Sequence, residues 1–141
     1  MRTFLFLSMM LVASVAGAQN KLTVVVDGIE KSKGNVLVAV YDSTNFLKQP
    51  AYYGMVKIEP GQEEVTLVIE NIAPGNYAVS LFQDENGNNK LDTGSYGIPV
   101  EGYGFSNNAK VKMGPPDFQD CMITIEEDTE INITLQTFKS I

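Results

Sequence analysis

The chain has 141 residues, with 17 acidic against ten basic side chains, a formal net charge of −7, no histidine, no tryptophan and one cysteine. That acidic balance leaves no phosphate-neutralising surface, which argues against nucleic acid as a partner. Without histidine there can be no Ser-His-Asp or Cys-His arrangement and no histidine zinc site, and a lone Cys121 excludes thiolate clusters and an intrachain disulfide.

The first 18 residues read as an export signal. Arg2 supplies the positive start, the stretch from Phe4 to Val15 is apolar apart from Ser8 and Ser14, and Ala16-Gly17-Ala18 places small residues at a signal-peptidase site. Cleavage is expected before Gln19, leaving one domain over 19–141 that is periplasmic, cell-surface or secreted. The apolar run is short for a bilayer span, and no later stretch is long or apolar enough for one, so the mature chain is expected to carry no transmembrane segment.

From there the chain follows a period of two. Leu22, Val24 and Val26 alternate with Lys21, Thr23 and Val25 as far as Gly28. Val36 to Tyr41 is apolar on both faces, which predicts a strand inside a sheet. Residues 42–53, with Pro50 among them, read as irregular, and Met55 to Ile58 as a short strand closed by Pro60-Gly61. Val65, Leu67 and Ile69 share a face. A turn at Pro74-Gly75 follows, where glycine is expected to take a positive φ. Tyr77, Val79 and Leu81 resume the alternation.

From Gln83 to Asp120 no strand period is visible. Cys121, Ile123 and Ile125 then form one face of a strand, and Ile131, Ile133 and Leu135 one face of the last. About seven short strands without a helical period predict an all-β, single-domain, Ig-like or transthyretin-like antiparallel β-sandwich with one long functional loop. Its core is expected to run from Val24 and Val26 through Val38, Val40 and Val79 to Ile133 and Leu135.

Within the long loop, Asp84, Asn86, Asn88, Lys90 and Asp92 fall at positions one, three, five, seven and nine of a calcium-loop spacing. Alternate side-chain oxygens on a tight turn can face inward together, and position seven uses its carbonyl, so Lys90 is allowed there. The pattern departs at position six, where Asn89 replaces glycine, and at position twelve, where Ser95 replaces a bidentate glutamate. The alternative is a metal-free hairpin turning at Asn86-Gly87 as a type I′ pair, with its acids merely solvated. On either reading Asp84 is expected to matter little to the stability of the cation-free protein. Tyr96, Tyr103 and Phe105 are the candidate ligand-binding aromatics, forming either a ligand-facing patch or a lid folded back on the sandwich. Cys121 reads as a small buried apolar residue, or alternatively as a reactive or intermolecular thiol.

The blocks D-E-N-G-N-N-K-L-D-T, Y-G-I-P-V-E-G-Y-G-F-S-N-N and G-P-P-D-F resemble a family of small exported bacterial proteins catalogued as a domain of unknown function. The resemblance runs from about Lys21 to Leu135. In addition, the turn from Ile72 to Tyr77 resembles the strand-joining turn of transthyretin-like and collagen-adhesin B-type sandwiches. These resemblances imply a secreted or periplasmic β-sandwich with no established activity. The residues lead to the expectation of a non-enzymatic binding or adhesion-type module, with calcium as candidate cofactor and an envelope protein or glycan as partner. The alternative is a cell-envelope carbohydrate-active enzyme using a carboxylate pair near the aromatic loop.

If the leader is read correctly, intact mass of the protein recovered from periplasm or medium will begin at Gln19; recovered protein that retains Met1 to Ala18 would refute it.

Overall fold

Alternation carries the chain through eight strands, seen in a computed structural model that describes residues 19–138. The expected export signal, 1–18, lies outside the described residues. The strands are β1 (Asn20–Asp27), β2 (Asn35–Tyr41), β3 (Tyr52–Lys57), β4 (Val65–Ile72), β5 (Gly75–Asp84), β6 (Tyr103–Phe105), β7 (Ile123–Ile125) and β8 (Thr129–Thr134). The order β4-β1-β8 makes a three-stranded sheet. The order β3-β2-β5-β6 makes the larger one, which β7 completes to five by pairing with β5. The two sheets form a β-sandwich in which every pairing is antiparallel except β1 with β8, which is parallel.

The expected inward faces meet between the sheets. Val24, Val26, Val38, Val40, Val79, Ile125 and Ile133 are fully buried in one cluster, with Ile69, Tyr77, Leu81 and Leu135 nearly so, and Leu67 and Ile123 pack against it partly buried. Ile72 joins this core although its spacing from Ile69 is odd. Asn71 takes a positive φ of 61° and makes a bulge where β1 shifts register, which returns the next side chain to the core face. Asn71, not Gly75, is therefore the left-handed residue at this turn. Two tyrosines then hold the turn: Tyr77 donates its hydroxyl hydrogen to the Ala73 carbonyl at 2.7 Å, and the Ala73 N–H donates to Tyr52 Oη at 3.0 Å.

Three other expectations need correcting. The stretch read as irregular ends at Ala51, because Tyr52 and Val56 turn inward while Tyr53 and Met55 turn outward, and that alternation makes β3. The long loop is not structureless, since Tyr103–Phe105 forms β6. A Cβ on Gly104 would lie 2.6 Å from Ile133 Cγ2, so glycine is what lets this strand approach the smaller sheet. Tyr103 and Gln136 exchange backbone hydrogen bonds of 3.0 and 2.7 Å there, which closes that side of the sandwich. Finally, Cys121 ends a single helical turn, α1 (Phe118–Cys121), and does not lie on the strand that follows.

The loop folds over the outer face of the larger sheet. Ala78, Tyr103, Phe105 and Cys121 are buried in a second cluster there, with Phe46, Phe82, Leu91 and Phe118 packed around them. Phe46 joins Tyr41 to Phe118 by edge-on ring contacts at 5.9 and 5.7 Å. The Cys121 thiol is sealed in this cluster, out of reach of a second chain. Burial, with Asp120 and Asp117 nearby, pushes its pKa up to about 11.

At pH 8 about one thiol in a thousand is therefore ionised in the folded state, against about one in ten for an exposed cysteine. Maleimide or a disulfide reagent is expected to leave the native protein unlabelled at pH 8 and to label it in denaturant. Because the unfolded thiol loses its proton first as pH rises, stability is expected to fall between about pH 9 and 11. Rapid native labelling would contradict this placement.

Candidate functional site

At the end of β5 the chain must leave a buried strand and turn through solvent, and two carboxylates hold it there. Asp84 is fully buried. Its Oδ1 accepts from the N–H groups of Gly87 at 3.0 Å and Asn88 at 3.2 Å, and its Oδ2 accepts from Asn89 N–H at 2.8 Å. Glu101 is almost as buried and spans the two ends of the loop. Its Oε1 accepts from Glu85 N–H and its Oε2 from Asp92 N–H, both at 3.0 Å. Gly34, at a φ of 76°, packs its α-carbon against the Asp84 carbonyl, where no side chain fits. The left-handed residues of the loop are Gly87 (φ 75°) and Asn89 (φ 59°), so Asn86-Gly87 is not a type I′ pair. Asn89 takes at position six the backbone conformation for which calcium loops use glycine.

Above these clamps the rim side chains meet. Asn86 and Asn88 donate from Nδ2 to the two oxygens of Asp92, at 2.5 and 2.6 Å. Their own Oδ1 atoms accept from the N–H groups of Asn88 at 3.2 Å and Lys90 at 3.0 Å. Oxygen and nitrogen of a side-chain amide exchange places by a half-turn. Turning both amides over would give up the two backbone hydrogen bonds their oxygens accept and set two neutral oxygens beside the Asp92 carboxylate, a donor set suited to a hard cation that offsets the loss. Among the described residues no cluster of three or more acidic, histidine or cysteine side chains could hold a metal. A cation at this rim would thus rest on amide and carbonyl oxygens as much as on charge.

The same loop walls an apolar cavity of about 350 Å³ on the outer face of the larger sheet. Ser80 and Phe82 of β5, paired across the sheet with Phe105 and Tyr103 of β6, make its floor. Leu91, Val111 and Pro115 come down from the loop. A second cavity of about 360 Å³ adjoins it over Leu37, Tyr41 and Tyr53, sharing Ser80 and Phe82 and walled at one point by Asn89.

Of the residues singled out by spacing, the structure brings Asn86, Asn88 and Asp92 together and sets Asp84 beneath them as a support. It separates the three candidate aromatics. Tyr103 and Phe105 are buried edge to face, 6.5 Å apart, whereas Tyr96 is 99 % exposed on a short 3-10 turn (Ser95–Gly97) and lines neither of these cavities.

Sequence reasoning missed Ser80 and the fastening roles of Ser106, Asn107 and Asn108. Ser106 Oγ accepts from Val79 N–H at 2.9 Å and donates to the Cys121 carbonyl at 2.5 Å. Asn107 Nδ2 donates to the carbonyls of Asp120 at 3.2 Å and Met122 at 3.0 Å, and Asn108 Oδ1 accepts from Thr134 N–H at 2.9 Å. Two consecutive asparagines, both left-handed at φ 60° and 48°, were the available signal of a fixed turn.

A family model described as "Uncharacterized protein conserved in bacteria (DUF2141)" matches residues 24–133. No curated protein and no solved structure matches the chain. Among the described residues no helix is long and apolar enough to cross a membrane.

Asp84→Ala leaves three backbone donors at a buried site without their acceptor, so it is expected to cost about 2–3 kcal/mol in urea unfolding without added calcium. Asp92→Ala, at the exposed rim, is expected to stay within about 0.5 kcal/mol of the parent. Equal effects would refute this division into support and rim.

Proposed function

Starting from the fact that the chain belongs to this uncharacterised bacterial family, we propose that it is an exported, non-enzymatic binding module. Calcium at the Asp84–Asp92 loop sets one wall of its ligand site. The observation that carries this is the double use of one loop. Asn86, Asn88 and Asp92 meet on its rim, while Asn89, Leu91 and Thr93 from the same turn wall the two adjoining cavities. A cation that fixes the rim therefore fixes the mouth of the apolar site.

The fate of the carboxylates supports binding over glycoside chemistry. A glycosidase needs two carboxyl groups about 5–9.5 Å apart flanking the bond to be cut. Asp84 and Glu101, the two buried ones, are engaged by backbone N–H groups, and no carboxylate lines the cavity beside Tyr103 and Phe105. The exported location follows from the leader at 1–18, and the ligand comes from the envelope around it.

Calcium at about 100 times its Kd should stabilise the folded state by about 2.7 kcal/mol, enough to raise the melting temperature by several degrees. Asp92→Ala should melt like the parent in chelator and lose the calcium shift. No shift at about 10 mM calcium, or an undiminished shift in Asp92→Ala, would reject the cation site.

A further inference from the structure

We infer that the paired cavities on the outer face of the larger sheet form one site for a neutral, elongated, hydrophobic small molecule carrying a single hydrogen-bonding group, anchored on the Ser80 hydroxyl. This deepens the reading of the chain as a binding module and rests on it.

Size is the first argument. The two spaces, about 350 and 360 Å³, meet over Ser80 and Phe82, and each alone falls in the range of small-ligand sites. With that floor shared, the lining runs from Tyr103 on β6 across β5 and β2 to Tyr53 on β3, in one direction across the sheet.

The second argument is why this space stays open. An apolar loop over an apolar sheet should collapse onto it, because unfilled contacts cost dispersion and hydrophobic energy. Here the loop is held from its two ends by polar clamps. Glu101 and Asp84 fix its start, and Ser106 and Asn107 fix its return to α1. Leu91 and Val111 pack at the margin of the Tyr103–Phe105 cluster and, with Pro115, wall the space over Phe82 without filling it.

The third argument is charge. No ionisable carboxylate or ammonium lines either space, and the protein carries a net charge of −7 with acidic side chains on the neighbouring rim. An anionic ligand would lose its hydration and gain no counter-charge, so the site selects neutral molecules. The Ser80 hydroxyl makes no hydrogen bond among the described residues and opens to both spaces. It offers one donor and one acceptor on the lining that both spaces share, whose other side chains are apolar or aromatic apart from Thr93 and Asn89.

The test uses two dyes with the same aromatic frame: neutral N-phenylnaphthylamine and its anionic relative, anilinonaphthalene sulfonate. Each is titrated by fluorescence into the mature protein in calcium. One saturable site for the neutral dye is expected, with the sulfonate weaker by about tenfold or more. Ser80→Phe fills the junction from the sheet and Val111→Trp fills the cavity from the loop. Either variant, once its melting curve shows it folded, should weaken the neutral dye by about tenfold or more. Absence of a saturable site, equal or tighter sulfonate binding, or parental affinity in a folded filling variant would overturn the inference. If both variants fail to fold, the comparison of the two dyes on the parent chain decides. Failure here with the calcium shift intact would remove this ligand class and leave the binding module; loss of the calcium shift alone would do the reverse.

Discussion

The outer edge of β5 sets the terms for everything beyond it. Its backbone donors and acceptors lie where water is excluded, and each must find a partner. No single strand covers the edge. β7 pairs with Gly75–Tyr77 and β6 with Ser80–Phe82, and the break between them falls at Ala78 and Val79. Ser106 closes that break by accepting from Val79 N–H, and its own proton ties in the end of α1 through the Cys121 carbonyl. At the far end, Asp84 does a similar thing for the turn that leaves the strand. A buried hydroxyl and a buried carboxylate thus complete a ladder that backbone alone leaves unfinished.

This explains the blocks that mark the chain as a sequence. Glu101 through Asn108 reads as a string of small, polar and aromatic residues with no period. In space it is a series of fasteners. Glu101 joins the two ends of the acidic loop, Gly104 admits β6 beside Ile133, Ser106 mends β5, Asn107 holds the end of α1, and Asn108 reaches β8. The buried members, Glu101 and Ser106, resist rearrangement because breaking their bonds leaves a buried donor or acceptor unpaired. The loop can then remain ordered over the sheet without filling the space beneath it, and the cavity there is a consequence of that stiffness. The acidic turn shares the arrangement, with its clamps below and its exchangeable amides above.

Much of this fold was legible in the residues, and the reason is periodicity. A strand with one face in a core writes a period of two into its side chains, so Val24, Val38, Val79 and Ile133 could be assigned before any coordinates. The double-sided apolar run of Val36 to Tyr41 likewise announced a strand flanked on both edges, and β2 lies between β3 and β5. The spacing of Asp84, Asn86, Asn88 and Asp92 marked a loop whose side chains converge.

What only the tertiary structure decided concerns groups whose meaning depends on distant partners. Nothing local distinguishes Asp84, buried under three N–H groups, from Asp92 at the rim, because burial is set by Gly34 and Glu101 arriving from other parts of the chain. β6, three residues with Gly104 at its centre, is too short to show a period, so it exists through pairing with β5. Tyr96, Tyr103 and Phe105 look alike in sequence. Two are buried and one stands in solvent because β6 places the first pair against Ser80 and Phe82 while Tyr96 sits on a turn outside that pairing. Periodic burial is a local property and survives in one dimension, whereas the pairing of a buried polar group and the shape of a cavity are long-range properties that exist only once the chain has closed on itself.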